Sequence, residues 1–250
     1  MNWLLSPLRA YAELALGCRA YSFQTFSVGQ VLTAAQMSQV EVNIRDHVHG
    51  TANVAIGKQP TRTVLTSGSG TYTTPTGASR LLVRCVGPGG GGQGGIGANQ
   101  SGESGGAGGY CEKVFVAPAA SYSYVVGAGG AGGAAGAAGG TGAATTFGTL
   151  SAGAGAGGNG ASYGSGAPGG TVVSGDINVT GNAGSPDLSL AGADSIAGPG
   201  GPWGGGAPGA RNASGNNATG PGGAGSGGVN NTVGGGNGYA GIIIIDEYYD

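Results

Sequence analysis

Along the first 60 residues, apolar side chains recur at helical spacing. Ser6 as N-cap, Pro7 at the first helical position and Gly17 just past the end predict a short helix carrying Leu8, Tyr11 and Leu14. Leu32-Thr33-Ala34-Ala35-Gln36-Met37 reads as a capping box, with Thr33 as N-cap, Gln36 three residues on, and Leu32 and Met37 as the hydrophobic staple. The helix it opens should run to about Val48 and stop at Gly50. Met37, Val40, Ile44 and His47 follow at alternating spacings of three and four, the seam of a coiled coil. Two heptads do not stand alone in water. Met37, Val40 and Ile44 are therefore expected to join copies of the chain, as a homotrimer, or to pack on a larger assembly.

From Thr63 the pattern changes to strands. Thr63–Thr66, Ser79–Val86, Tyr110–Ala117, Tyr122–Val126, Ala144–Leu150 and Ile242–Tyr248 are each rich in β-branched and aromatic residues and bounded by turn formers. Between and beyond them glycine takes over. Gly127, Gly130, Gly133, Gly136, Gly139 and Gly142 recur every third residue, and shorter runs such as Gly198/Gly201/Gly204 and Gly222/Gly225/Gly228 repeat the spacing. Three is the period of the polyproline II helix, which makes no hydrogen bonds of its own. Glycine along one edge of such a helix lets neighbouring backbones approach and bond to one another. The chain is accordingly predicted to be mainly β and irregular in three parts. Short N-terminal helices for attachment and oligomerisation span 1–62, a β-rich domain with glycine insertions spans 63–152, and a glycine-rich polyproline-II helix bundle with a closing C-terminal strand spans 153–250.

Composition narrows the function. The 250 residues include 62 glycines and 11 prolines, yet only 8% are charged, which argues against a disordered chain. The triplet register slips too often for collagen. With nine basic residues spread thinly and a net charge of −2, no stripe exists to neutralise phosphates, so no nucleic-acid partner is expected. No apolar run approaches the roughly 20 residues of a membrane span, so no membrane insertion is expected. Arg9 and Glu13 interrupt the first apolar stretch, and no cleaved signal is expected, although Ala15-Leu16-Gly17-Cys18 faintly resembles a lipoprotein box.

Candidate chemistry is sparse. Two histidines and no paired-carboxylate motif give no catalytic constellation, and the many G-x-G-x-x-G matches follow from composition. No enzyme activity is expected. His47 and His49 form a His-x-His pair; in a trimer, six imidazoles near one axis would suit iron or another transition metal. The alternative is a helix-end histidine favoured by the dipole, and otherwise no cofactor is expected. Cys85 ends one predicted strand and Cys111 begins another, so they are either a disulfide or a pair of small buried hydrophobes. Trp203, Tyr163 and Arg211 are the bulky side chains of the glycine-rich part, typical binding anchors or rod covers. Asn212, Asn216 and Asn217 are either glycan hydrogen-bonders or turn formers.

The order of these parts resembles the glycine-rich domain of bacteriophage tail-fibre and adhesin proteins. The likeness is carried by VLTAAQMSQVEVNIRDHVHG (31–50), SGSGTYTTPTGASRLLVRCVGPGGGG (67–92) with GGYCEKVFVAPAASYSYVVGAGGAGG, and the ending GGNGYAGIIIIDEYYD. It covers about residues 31–250 and leaves the first 30 aside. The resemblance implies a virion component at the tail-fibre tip. Its loops would contact a bacterial surface receptor, an outer-membrane protein or a glycan, beside other tail proteins. Receptor binding would then fall to Trp203, Arg211, Asn212, Asn216, Asn217 and Tyr163. Two rival readings remain: a purely structural virion or filament subunit, and an ice-binding protein.

Overall fold

A computed structural model describes residues 60–97, 100–160, 166–186, 213–230 and 232–249. Ten strands form two five-stranded antiparallel sheets. The first has the order β1 (Thr61–Leu65), β10 (Ile242–Tyr248), β3 (Arg80–Val86), β4 (Tyr110–Val116), β9 (Ile177–Val179). The second has the order β2 (Ser69–Thr73), β5 (Ser121–Val125), β6 (Thr145–Phe147), β7 (Leu150–Ala152), β8 (Val172–Val173).

Alternation decides which side of each strand goes inward. In the first sheet Leu81, Val83 and Cys85 of β3 face the interior beside Ile243 and Ile245 of β10, all fully buried. The second sheet contributes Tyr72, Phe147, Leu150 and Ala152 to the same core. Phe147 sits at its centre, stacked on Tyr122 at 5.0 Å and tilted against Tyr72 at 5.6 Å. Burying side chains of this size stabilises by about 1.5–3 kcal/mol each.

The glycine tracts leave this sandwich and return to it in four excursions. They lie between β3 and β4, β5 and β6, β7 and β8, and β9 and β10. The first three each join neighbouring strands of one sheet. The fourth, running from β9 to β10, connects strands separated by β3 and β4.

Segment 87–95, in the first excursion, is the hub. Its amides donate outward in rotation: Gly89, Gly92 and Gly95 to Tyr239, Gly236 and Val233; Gly90 and Gln93 to Gly106 and Glu103; Gly91 and Gly94 to Gly140 and Ala137. Its carbonyls accept in the same rotation: Gly89, Gly92 and Gly95 from Gly130, Gly133 and Gly136; Pro88 and Gly91 from Gly155 and Gly158; Gly90 and Gln93 from Gly225 and Gly228. These bonds are 2.8–3.0 Å long. The partner changes with every residue and recurs every third, so one backbone is ringed by six others. Glycine is obligatory where they meet. A Cβ built on Gly90 or Gly91 would stand 1.9 Å from the Ala156 carbonyl oxygen or 2.0 Å from that of Ala131.

The predicted fold needs correction. Short N-terminal helices were expected at the head of a mainly β and irregular chain. The structure instead shows two antiparallel sheets and no helix among the described residues; the helical readings over 6–17 and 33–48 lie outside those residues. Strands and glycine segments also interleave from Thr61 to Tyr248 rather than following one another as a β part and a bundle. The physical reason is that a glycine segment has no side chains with which to make a core. Each excursion therefore starts and ends on strands that do. Locally, Ala144–Leu150 was read as one strand but folds as two, because Gly148 at φ +53° opens a two-residue turn between Phe147 and Leu150. Strands β2, β8 and β9 were not foreseen.

Candidate functional site

The excursions run away from the sandwich for a limited distance. At the 3.1 Å rise per residue of a threefold extended chain, Gly95 lies roughly 28 Å beyond Val86. A layer of side chains around residues 93–104 marks that far region. Glu103 is 3% exposed and has no ion-pair partner among the described residues. Its Oε2 accepts from the amides of Asn159 and Gly160, both at 2.8 Å, while its own amide donates to Gln93 Oε1 at 3.1 Å. The carboxyl thus terminates the segment 153–160. Nearby, Ser104 Oγ accepts from the Ser185 amide at 2.6 Å. Val229 pairs with Ser101 and donates to the Ala213 carbonyl.

These contacts fix the described residues that flank the predicted receptor-binding positions. Tyr163 falls in sequence between Gly160 and Gly166; Trp203, Arg211 and Asn212 fall between Pro186 and Ala213. Tyr163, Trp203, Arg211 and Asn212 themselves lie outside the described residues. So do Met37, Val40 and Ile44 of the expected seam and the His47/His49 pair.

Asn216 and Asn217 are both exposed and belong to the described segment 213–220. The Asn216 amide donates to the buried Ser226 Oγ at 2.7 Å. Asn217 Oδ1 accepts from the Asn237 amide at 2.7 Å, and Asn237 Oδ1 in turn accepts from the Gly132 amide at 2.7 Å. Asn217 and Asn237 therefore stitch three outer segments together with side-chain carbonyls, replacing backbone acceptors at the margin of the lattice. The turn-forming and glycan-binding readings of Asn217 both missed this. An isolated polar residue at a triplet position is the signal that could have found it.

Two further polar clusters lie on the sandwich, and the sequence reading missed both. On the outer face of the first sheet, Arg62 holds Asp246 through Nε and Nη2 at 2.5 and 3.0 Å. Arg84 bridges Asp246 and Glu112 at 2.8 Å each, and Tyr110 donates to Glu112 at 2.9 Å. The hydrogen bond from Arg62, joined by Arg84, holds the Asp246 carboxyl below the usual range against the opposing effect of burial. Burial pushes the Tyr110 phenol up to about 12. On the inner side, Glu247 is 5% exposed and accepts from Thr61, from Thr63 at 3.1 Å, from Tyr72 at 2.8 Å and from Tyr249 at 3.1 Å. Burial alone would raise its carboxyl, but the four hydroxyl donors outweigh it and leave the group below its ordinary value. Both clusters bind strands to one another.

A cavity of about 430 Å³ lies at the other end of the lattice, lined by Thr66, Pro221, Gly238, Tyr239, Ala240, Gly241 and Ile242. It contains no ionisable group other than the Tyr239 phenol. Among the described residues no group of three or more His, Cys, Asp or Glu could hold a metal ion.

A sandwich that carries glycine segments packed backbone to backbone defines the class of this protein. A family model described as a glycine-rich domain matches residues 65–248, and the chain belongs to that glycine-rich domain family. Comparison with curated proteins returns no match.

Proposed function

We propose that the protein is a receptor-binding component of a bacteriophage tail fibre, acting at the virion tip by adhesion and not by chemistry. The carrying observation is that the chain segments around Tyr163, Trp203 and Arg211 are bordered in sequence by Gly160, Ser185 and Ala213, of which Gly160 bonds to Glu103, Ser185 to Ser104, and Ala213 to Val229, itself bridged to Ser101. Binding residues accumulate on loops held by a rigid frame. The resemblance in the sequence supports the same reading, and so does the absence of a basic stripe. The partner is a bacterial outer-membrane protein or surface glycan, and several fibres per particle raise a weak contact to useful avidity.

Deletion of residues 202–219 would be a poor test, because the Gly215 and Ala218 amides bond to Gly234 and Asn237 within the lattice. The sharper variant carries Trp203→Ala and Arg211→Ala. The intact protein should bind whole bacterial cells, and the double variant, with its thermal midpoint unchanged, should not. Equal binding by both would remove these residues from the site, and no binding by the intact protein to any candidate host would reject adhesion.

A second reading, a purely structural virion subunit, draws on exposed apolar rows. Ala128, Ala131 and Ala134 line one outer glycine segment at triplet spacing, and Val64, Val114 and Val116 are exposed on the first sheet. Concentration-dependent self-assembly in sedimentation, without cell binding, would favour that reading.

A further inference from the structure

Cys85 and Cys111 occupy opposite positions on the neighbouring strands β3 and β4, and both are fully buried free thiols. Their register type follows from the next rung. The Gly87 amide donates to the Gly109 carbonyl at 2.8 Å, two residues further along the same pairing, which makes 87/109 a hydrogen-bonded pair. Pair types alternate along an antiparallel ladder, so Cys85/Cys111 is of the same type, with Cα atoms about 5.5 Å apart. Disulfides span Cα separations of roughly 4.4–6.8 Å and Cβ separations of about 3.5–4.5 Å, so closing the bond draws together Cβ atoms that a hydrogen-bonded pair holds about 5.5 Å apart. Both side chains point to the inner face of the sheet, beside Val83 and Ile243. Between the two cysteines the chain makes the hub excursion, segment 87–95 and its return through 102–109, to which every other excursion bonds.

We propose that Cys85 and Cys111 are a disulfide-forming pair that staples the root of the hub excursion, taking a small-molecule disulfide such as oxidised glutathione as oxidant. One cysteine thiolate attacks a sulfur of the oxidant and releases one glutathione thiolate, leaving a mixed disulfide. The second thiolate attacks the protein sulfur of that mixed disulfide and releases the other glutathione. Two electrons pass to the oxidant, and the two thiol protons leave to solvent or to the glutathione thiolates. The facing Cys111, together with burial, pushes the Cys85 thiol up, and the native sandwich shields it. The reaction therefore belongs to the folding chain or to transient opening of β3 from β4. Once formed, the bond closes a loop of about 25 residues and restricts the unfolded chain. The inference is independent of the receptor-binding reading.

The test uses the full-length chain with Cys18→Ser, refolded in oxidised glutathione or in excess reductant, then denatured and alkylated. Trypsin releases residues 85–113 as a single peptide, since no Lys or Arg lies between Arg84 and Lys113. After oxidative refolding that peptide should escape alkylation and weigh about 2 Da less than its reduced form, the mass of the two hydrogens removed. The thermal midpoint should rise by roughly 5–10 °C and fall back on reduction. A peptide doubly alkylated after oxidative refolding overturns the proposal. So does a disulfide that leaves the midpoint unchanged or lowers it. The Cys85→Ala/Cys111→Ala variant should show no difference between the two buffers, and a midpoint shift surviving in it would also overturn the assignment.

Discussion

The sandwich and the glycine lattice are held together by opposite means. In the sandwich, side chains such as Phe147, Leu81 and Ile243 fill a shared core, and the backbone ladders lie at its faces. In the lattice, glycine clears the contact edges of side chains, and most backbones bond directly to their neighbours. The first solution lets a methyl group be gained or lost at moderate cost, because packed cores relax partly around a change. The second has no such latitude, since the atoms that would have to move belong to other main chains.

Four experiments sharpen or break this contrast. The largest effect is expected from one added methyl at the hub. Gly91→Ala places a carbon 2.0 Å from the Ala131 carbonyl oxygen, and the variant should lose more than about 4 kcal/mol, read as failure to give a folded soluble protein. Gly136→Ala, where nothing lies within 4 Å and φ is +70°, should by contrast fold with a loss of about 1 kcal/mol. A Gly91→Ala protein with an unchanged midpoint would refute the close-contact account. Phe147→Ala removes the largest buried ring of the sandwich and should cost about 3–5 kcal/mol in urea unfolding while the chain still folds. Glu103→Ala strips the acceptor from the Asn159 and Gly160 amides and should cost about 1–3 kcal/mol; Glu103→Gln, which keeps an acceptor oxygen, should recover part of it.

The smallest effect is the response to acid. Asp246 and Glu247 have carboxyls lowered in the folded state, so their stabilisation is present above the unfolded pKa and is lost as pH falls through the folded one. The window opens below about pH 4, the ordinary range of these groups. Among the described residues the glycine segments carry one carboxyl, Glu103, so acid should loosen the sandwich first. Near-UV circular dichroism of the core tyrosines should change before far-UV signals do, and Asp246→Asn should flatten part of that dependence. Simultaneous loss of both signals in wild type and variant alike would show that the two regions melt as one.

The same contrast explains what the sequence disclosed. Strands are legible because their side chains announce them, and Ile242–Tyr248 was readable from its run of β-branched residues. The triplet Gly130, Gly133 and Gly136 was readable as a contact edge, and its amides do meet Gly89, Gly92 and Gly95. Which segment pairs with which was illegible, because a run of glycines presents the same surface to every neighbour. Strands β8 and β9 are too short, at two and three residues, to show a period. Of the candidate site, Asn216 and Asn217 were read as glycan contacts or turn formers and not as lattice contacts. Glu103 passed unnoticed because a lone carboxylate in a glycine tract looks solvent-facing, and only three-dimensional pairing shows it buried.

The threefold rotation of partners around segment 87–95 has a further consequence, for how such a chain can change length. Adding one residue within a segment turns every later amide by a third of a circle and points it at the wrong neighbour; adding three restores the heading. Insertions and deletions in the outer segments are therefore quantised in threes, as codons are in a reading frame, whereas the connections beyond the lattice are free of that constraint. Insertion of an Ala-Gly-Gly triplet, or of Ala-Gly alone, after Gly130 would reveal the frame, with only the triplet keeping a midpoint near the native one. A lineage carrying this architecture can rewrite its far end at any length while its interior grows only by whole turns.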